Sequence, residues 1–369
     1  MNRRTALLGA GGTVAIVASG AAGFALWSGA SKDSWKEAIK TIRDPIEPGL
    51  TGQDAIHELV RYATLAANSH NTQAWRFELA PATITLLPDL TRATPTVDPD
   101  DHHLFASLGA AAENMVQGAP LLGLSAVPRF DADGDGRIVL ALSPGAVMAT
   151  PMAEAIPKRQ CTRSLYDGQP IPAANLEAMA AAARNDGVDL LLLTERSAID
   201  AVGALIIQGN TIQMGDRAYI DELKQWLRFS YAEAVSSADG LFSHTSGNPV
   251  LPGPIGRLLF DVVATAASEN TKYLAQIASS SGLAIFVSTQ NDRAHWIAAG
   301  RAYQRFALQT TVLGIKHAFL NQAVEVPKVR QRLAEHLGLG QRRPDLIVRF
   351  GYAEDMPSSM RRPLADVIV

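Results

Sequence analysis

The chain has 369 residues, of which 47% are hydrophobic and 19% charged, so it is not a mainly disordered protein. Its formal net charge of −3 gives no general attraction to nucleic acid, which requires a concentrated basic face. The single cysteine, Cys161, excludes an internal disulfide framework, a cysteine-rich zinc site and a lipid-modified N-terminal cysteine. At roughly 100–200 residues per domain, the length predicts two domains or one duplicated unit.

The N-terminal segment has the pattern of an export signal. Arg3 and Arg4 precede a stretch from Thr5 to Ser31 that has no charged side chain and is rich in alanine and glycine. This pattern resembles a twin-arginine signal and predicts delivery by the twin-arginine export machinery to the periplasm or the outer face of the cytoplasmic membrane. Two fates stay open for residues 1–34: cleavage near Ser28-Gly29-Ala30, or retention as a membrane anchor, because a helix of this length could cross a bilayer. A chain that is not exported is the least favoured alternative.

Residues 35–150 are predicted to form a first α/β half. Apolar spacing indicates helices and short alternating runs indicate strands. In chain order the elements are the helix Ala55–Ala67, the strands Arg76–Leu79 and Thr83–Leu87, the long helix Asp101–Gly123 and the strand Arg137–Leu142. The proline-rich stretch Ser143–Pro157 marks the boundary to the next half.

Residues 151–369 are predicted to form a second, longer half. Its elements are the helices Asn175–Arg184, Ala198–Met214 and Arg217–Ser236, the strand Leu283–Val287, the long helix Asp292–Gly314 and the strand Leu346–Phe350. The segment Ser243–Gly256 is too polar and too rich in glycine and proline for a core element. We expect it to be a loop that covers a site.

The two long helices are also similar in sequence. Residues 100–124 and 291–315 align without a gap, and in both copies the same short strand pattern precedes and follows the helix. The aligned pairs include Asp101 with Asp292, Gly109 with Gly300, and Gly123 with Gly314. This internal similarity predicts a tandem duplication, with two unrelated amphipathic segments as the less favoured alternative.

A neutral polar cluster follows the first predicted helix. Seven of the eight residues 68–75 have a side chain that can donate or accept a hydrogen bond, and none is a carboxylate, lysine or arginine. The residues singled out are Asn68, Ser69, Asn71 and Gln73. Such a cluster suits a planar, uncharged heteroaromatic ring, whereas a helix cap with a polar turn is the alternative that needs no ligand.

Two groups of arginines are candidates for binding a phosphate. Arg159 and Arg163 are four residues apart and would share one face of a helical turn beside Cys161. Arg361 and Arg362 precede an apolar C-terminus, whose docking could bring them to a fixed site. For both groups a solvated surface turn is the alternative.

The acidic and histidine-containing stretches predict no metal site. Asp131–Ile138 begins like a calcium-binding loop, but Leu142 stands where the last ligand would be, so we expect a turn between strands. Neighbouring side chains in Asp100-Asp101-His102-His103 are not expected to face one ion, and we expect helix capping instead.

Together these motifs resemble the nitroreductase-like flavoprotein superfamily, and in particular its tandem, Acg-type branch, over about residues 50–369. The resemblance implies an α+β fold in which two nitroreductase-like halves pack as an intrachain pseudo-dimer, with a four- or five-stranded mixed or antiparallel sheet in each. It implies FMN as the cofactor. Asn68, Ser69, Asn71 and Gln73 would contact the ring or ribityl chain; Arg159, Cys161 and Arg163, with Arg361 and Arg362, would contact the phosphate.

The duplication carries a further implication. The second half has Arg184–Gly187 where the polar cluster should be, and the first half has only Lys40–Arg43 where the paired arginines should be. In a family that builds each site from two subunits, the surviving segments belong to one site. The resemblance therefore implies one FMN per chain.

The leading functional hypothesis is an exported FMN-dependent oxidoreductase of the nitroreductase type that reduces a small-molecule electron acceptor. The flavin would supply the chemistry, and no catalytic acid or base is evident. Because pyridine nucleotides are scarce outside the cytoplasm, two alternatives stay open: a flavin-sequestering protein with little turnover, and a flavin-free descendant of the fold.

Overall fold

A computed structural model describes residues 31–369. The predicted signal, with Arg3 and Arg4, lies almost entirely outside the described residues. Within the described range no helix combines the length and the apolar character that a membrane span requires.

The first half contains an antiparallel sheet with one long helix against it. Helix α1 covers residues 31–42 of the described chain. It is followed by α2 (Gly52–Thr64), β1 (Trp75–Ala80), β2 (Thr83–Pro88), α3 (His102–Gly118), β3 (Leu124–Asp131) and β4 (Arg137–Pro144). The four strands lie in the order β1-β2-β4-β3, and each neighbouring pair is antiparallel.

The chain then enters the second half and a large helical insertion. Helices α4 (Pro151–Ala155) and α5 (Ala173–Ala183) lead to β5 (Val188–Leu193). The insertion consists of α6 (Arg196–Gly215), α7 (Arg217–Gln225), β6 (Leu227–Arg228), α8 (Tyr231–Ser237), β7 (Leu241–Phe242), α9 (Gly253–Val263) and α10 (Ala266–Ala278).

The second sheet repeats the strand order of the first. After the insertion come β8 (Gly282–Ser288), α11 (Arg293–Val312), β9 (Lys316–Phe319), α12 (Gln322–Glu325), α13 (Pro327–His336) and β10 (Arg343–Gly351). Its strands lie in the order β5-β8-β10-β9, again with antiparallel neighbours. Apart from the elements between β5 and β8 and the helices α12 and α13, both halves therefore run helix, strand, strand, long helix, strand, strand.

The long helices α3 and α11 pack closely across the middle of the molecule. A Cβ atom on Gly109 would lie 2.1 Å from the carbonyl oxygen of Ile297, and one on Gly300 would lie 1.9 Å from that of Ala106. Each glycine thus meets the residue three positions before the other glycine, so the contact is reciprocal. The two long helices therefore pack directly against each other.

Several predicted boundaries were wrong in detail. The helix predicted over Arg217–Ser236 is broken, because residues 227–228 pair with β7 and Ser230 starts α8 with a capping box that uses Glu233. The helix predicted over Ala55–Ala67 ends at Thr64, and Arg159 and Arg361 donate to the carbonyl oxygens of Leu65 and Ala66, which follow it. Strands β3, β5 and β9 were missed.

Candidate functional site

A cavity of about 410 Å³ lies where the two halves and the helical insertion meet. Its floor comes from the two central helices, with Ser107 of α3 and Gly300 and Tyr303 of α11. The insertion forms the opposite wall through residues of α6, α7, α9 and α10. The segment predicted as a loop, Ser243–Gly256, also lines the cavity, with Ser243, Ser246, Asn248, Pro249, Leu251 and Gly256. It is only partly a loop, because residues 243–246 form a 3-10 turn and residues 253–256 begin α9. The volume is within the range of about 300–1,000 Å³ that is usual for small-molecule sites.

The polar turn at residues 68–75 forms one edge of this cavity. Asn68, Ser69 and His70 line it. Three residues of the turn have left-handed backbone angles, with φ of 45° at His70 and 54° at both Asn71 and Gln73. Such conformations are unfavourable for side chains other than glycine, and they persist only where the surroundings hold them. The strain therefore marks this turn as a functional candidate.

Two amides hold the strained turn in place. The Asn71 side chain donates to the carbonyl oxygens of Gly240 at 3.1 Å and Met360 at 3.3 Å. The Gln73 side chain donates to the carbonyl oxygen of Ala238 at 2.9 Å. Both residues are buried and tie the turn to the insertion and the C-terminal tail. Neither is among the described residues that line the cavity.

Arg163 presents its side chain to the same cavity as the polar turn. Its backbone is held by Met356 and Gln276. Its guanidinium, by contrast, makes no hydrogen bond to any residue between 31 and 369. Residues 159–163 are extended rather than helical, because Cys161 pairs with His317 beside β9. The prediction of a shared helical turn for Arg159 and Arg163 was therefore wrong, although Arg163 does line the same cavity as Asn68, Ser69 and His70.

Arg159 lies deeper, in a buried cluster of arginines. It donates to the carbonyl oxygen of Leu65 at 2.8 Å, while its Nε and Nη1 atoms have no partner among the described residues. Arg43 donates to the carbonyl oxygen of Pro157 at 2.7 Å, and burial together with the charge of Arg159 lowers its pKa to about 9. Arg159 is buried and is not among the described residues that line the cavity, so the structure does not bring its guanidinium into the cavity wall beside Arg163.

The C-terminal arginines have protein partners. Arg361 is buried and binds the carbonyl oxygens of Thr64, of Ala66 at 3.2 Å, and the side chain of Asn71 at 3.0 Å. Burial lowers its pKa well below the usual range, and Arg43 and Arg159 lower it further. Arg362 donates to the carbonyl oxygen of Asp366 at 2.6 Å. These arginines cap α2 and fix the tail, and the cavity lining within residues 31–369 does not include them.

Cys161 is partly buried beside the cavity rather than in its wall. Its Sγ atom lies 3.9 Å from the hydroxyl oxygen of Tyr303, whose ring does line the cavity. Burial raises the pKa of the Tyr303 hydroxyl well above its usual range, so this group is neutral and can donate a hydrogen bond.

Sequence reasoning missed the polar groups that the insertion and its neighbours contribute. Tyr219, Tyr273 and Glu325 line the cavity, and burial raises the pKa of each of them. His70 lies at the opposite edge, where burial first, then His103 and Arg163, lower its pKa to about 4. No local motif marks these residues, because they come from segments far apart in the chain.

The structure brings three potential metal ligands closer than the sequence indicated. The ligand atoms of Asp98, His102 and His103 lie within 4.8 Å of one another. However, the Asp98 carboxylate accepts the amides of His103 and Leu104, both at 3.0 Å, at the start of α3. His102 Nε2 lies 2.9 Å from the Asp345 carboxylate. These contacts give the cluster a structural role in capping and packing.

No family model matches the chain. Among solved structures, an FMN-dependent nitroreductase from Mycobacterium smegmatis in complex with NADPH aligns at 13% identity, covering 58% of this chain and 96% of that chain, with a TM-score of 0.37. A nitroreductase with bound FMN from Bacteroides fragilis aligns at 15% identity over 58% of this chain and 95% of that chain, with a TM-score of 0.34.

Curated relatives from two strains of Mycobacterium tuberculosis match over a longer region. Each is 28% identical over 327 residues, which is 85% of this chain and 91% of the relative, and each carries the name "Putative NAD(P)H nitroreductase". These names support the resemblance to nitroreductases that the sequence motifs indicated. The chain is thus similar, along most of its length, to proteins described as NAD(P)H nitroreductases.

Proposed function

We propose that the protein is an FMN-dependent oxidoreductase of the nitroreductase type that passes electrons to a small-molecule acceptor. The observation that carries this proposal is the shared cavity, which is lined by Asn68 and Ser69 and by Arg163, whose guanidinium has no hydrogen-bond partner within residues 31–369. The 28% identity to proteins named as nitroreductases supports the same conclusion.

The residues that are present fit a flavin mononucleotide. A phosphate needs a cation that is not already paired, and in the part of the chain that the structure describes Arg163 offers one in the cavity wall. Arg159, whose Nε and Nη1 atoms have no partner among the described residues, adds positive charge outside the cavity lining. The neutral side chains of Asn68 and Ser69 suit the uncharged parts of the cofactor. Direct contacts from Asn71, Gln73, Cys161, Arg361 and Arg362 stay predictions of the resemblance.

When bound, FMN would supply the hydride chemistry. The chain's own residues would bind the phosphate, orient the ring against α3 and α11, and exclude water. The segment Ser243–Gly256 would restrict which acceptors reach the ring, because six of its residues already line the cavity.

We also propose that the halves arose by duplication, with the boundary near residue 150 and one FMN site per chain. The identical strand order of the two sheets and the reciprocal glycine contact support this. Export by the twin-arginine pathway is proposed from residues 1–34 alone. An exported enzyme would need an electron donor other than a cytoplasmic pyridine nucleotide.

The test is flavin retention in Arg163→Glu. We expect wild-type protein to show the visible absorbance of flavin after purification or after addition of FMN. The variant should bind FMN at least roughly 100-fold more weakly, because it loses a charge-assisted contact and places a carboxylate against the phosphate. Arg129→Glu, at an exposed position on β3, is the matched control and should bind FMN like wild type.

Three outcomes separate the hypotheses. Retention of flavin together with turnover of a nitroaromatic after reduction by NAD(P)H or dithionite supports the oxidoreductase. Retention without turnover supports flavin sequestration. Wild-type protein that takes up no FMN would indicate a flavin-free descendant, and unchanged binding by Arg163→Glu would contradict the proposed site.

A further inference from the structure

Helix α9 presents an apolar face to the outside of the molecule. Leu258 and Val262, one turn apart, are 67% and 68% exposed, and Ile255 is 49% exposed. With Leu259 these residues form a stripe at helical spacing, and we refer to Ile255, Leu258, Leu259 and Val262 as the α9 outer face. A contiguous apolar patch of this kind on a soluble protein usually marks an interaction site.

The inner side and the charged residues of α9 are all engaged with the rest of the protein, which leaves the apolar outer face exposed. Its inner side packs on the protein, where a Cβ atom on Gly256 would lie 2.3 Å from the ring of Phe229. Its two charged residues are paired, Arg257 with Glu233 at 2.5 Å and Asp261 with Lys224. The outer face therefore carries no free charge of its own helix. It cannot turn inward without breaking these contacts.

The same helix also lines the cavity. Gly256, Leu259, Phe260 and Val263 of α9 line it, whereas Ile255, Leu258 and Val262 are not among the described residues of the lining. The exposure of these three residues therefore does not come from the cavity.

The apolar N-terminal segment joins the described chain close to α9. Trp35 of α1 packs against Tyr231 of α8, with ring centroids 5.6 Å apart. Helix α8 in turn contacts α9 through the pair formed by Glu233 and Arg257. Residues 5–31, which contain no charged side chain, are therefore attached to a helix that packs on the neighbour of α9.

We propose that the α9 outer face docks on a lipid bilayer. An amphipathic helix that lies in the membrane interface buries its apolar side in the boundary between headgroups and acyl chains, as this face would. The uncharged residues 5–31 would enter the same bilayer and hold the face against it. A second copy of the chain, or residues 5–31 folded onto α9, are the competing occupants, and the test distinguishes them. Docking does not depend on whether the cavity holds FMN.

The test places an environment-sensitive fluorophore on the α9 outer face of the full chain. Leu258→Cys is labelled in a Cys161→Ser background and mixed with vesicles of phosphatidylcholine and phosphatidylglycerol. We expect a blue shift with a roughly two-fold or larger rise in emission, and quenching by lipids that carry a quencher on the acyl chain. Val147→Cys, which replaces a side chain 75% exposed elsewhere, is the matched control and should stay in water.

Each alternative gives a different result. Emission that is already blue-shifted without vesicles and rises with protein concentration would show a second copy on this face. The same shift at every concentration would show the chain's own N-terminal segment there. A label that stays in water while the protein is bound to vesicles, or a chain that does not bind them, would also overturn the proposal. Val262→Cys repeats the measurement if Leu258→Cys does not fold.

Discussion

The side chains of residues 68–75 divide between holding the turn and facing the cavity. Asn71 and Gln73 use their amides to fix the backbone, while Asn68 and Ser69 line the cavity. This division follows from the left-handed backbone angles, which need several tertiary hydrogen bonds to persist. The strain is thus set by contacts with residues 238–240 and 360–362, far away in the sequence.

His317 lies beside the buried Arg159 and makes the unfolding free energy depend on pH. It lies on β9 with Nδ1 3.0 Å from the Thr310 hydroxyl oxygen, and burial followed by the charge of Arg159 lowers its pKa to about 3. In the unfolded chain the imidazole takes up a proton near pH 6.5, whereas in the folded chain it does not until about pH 3. This group therefore stabilises the fold above pH 6.5 and loses that contribution as the pH falls.

We expect His317→Asn to weaken this acid sensitivity. The asparagine amide can replace the Nδ1 contact with Thr310 but takes up no proton. Between pH 6.5 and 4 the unfolding free energy of the variant should fall less steeply than that of wild type, by about 1.4 kcal/mol per pH unit. Urea unfolding at several pH values measures this slope, with the exposed His336→Asn as control. Parallel slopes in all three proteins would contradict the prediction.

The sequence predicted part of the site and could not predict the rest. Residues 68–69 and Arg163 were named from local composition, and all of them line one cavity. Arg361 was predicted to contact a phosphate, but its position on the α2 carbonyl groups depends on where the tail packs. Tyr219, Tyr273 and Glu325 were missed because their meeting depends on the insertion's tertiary arrangement, which no spacing reveals.

The strands and helices were easier to predict where one face is consistently apolar. The long helices α3 and α11 and strands β2 and β4 were found from the spacing of their apolar residues, whereas β8 and β10, which are buried at every position, were found from short continuous apolar runs. The predicted helix ends at Gly123 and Gly314 were too late. Helix α3 ends at Gly118 and is followed by a 3-10 turn that Gly123 closes, and Gly314 lies two residues after the end of α11; their φ values of 66° and 70° suit glycine. Strand β9 was missed because its four residues are too few for a periodic signal.

The close crossing of α3 and α11 predicts that a larger side chain at Gly300 destabilises the fold. In an exposed helix, glycine to alanine would stabilise the chain by up to about 1 kcal/mol. Here the new methyl group would lie 1.9 Å from the carbonyl oxygen of Ala106, so one helix must move. We expect Gly300→Ala to lower the unfolding free energy by about 2 kcal/mol or more, measured by urea or thermal unfolding.

Gly215→Ala is the control for this prediction. Gly215 ends α6, and a Cβ atom there would have no atom within 4 Å. This variant should be as stable as wild type or slightly more stable. Equal stability of Gly300→Ala and Gly215→Ala would show that the central helices are not in close contact.

The two halves of the molecule share residues between their hydrophobic cores. Ile297 of α11 belongs to the hydrophobic core of the first half, and Ala67 belongs to that of the second. The C-terminal tail also returns to the first sheet, where Phe77 of the edge strand β1 donates to the carbonyl oxygen of Val367 at 2.8 Å. This bridge covers an edge that would otherwise be open to pairing with another chain.

We therefore expect the last residues to stabilise the half that lies farthest from them in sequence. Val367 is fully buried in the first core, whereas Val369, two positions on, is 63% exposed. Val367→Ala should lower the unfolding free energy by about 2 kcal/mol, because it removes two buried methyl groups and leaves a cavity. Val369→Ala should change it by less than about 0.5 kcal/mol. Hydrogen exchange should localise the loss of protection to β1, and faster exchange confined to the second sheet would show that the tail does not support the first half.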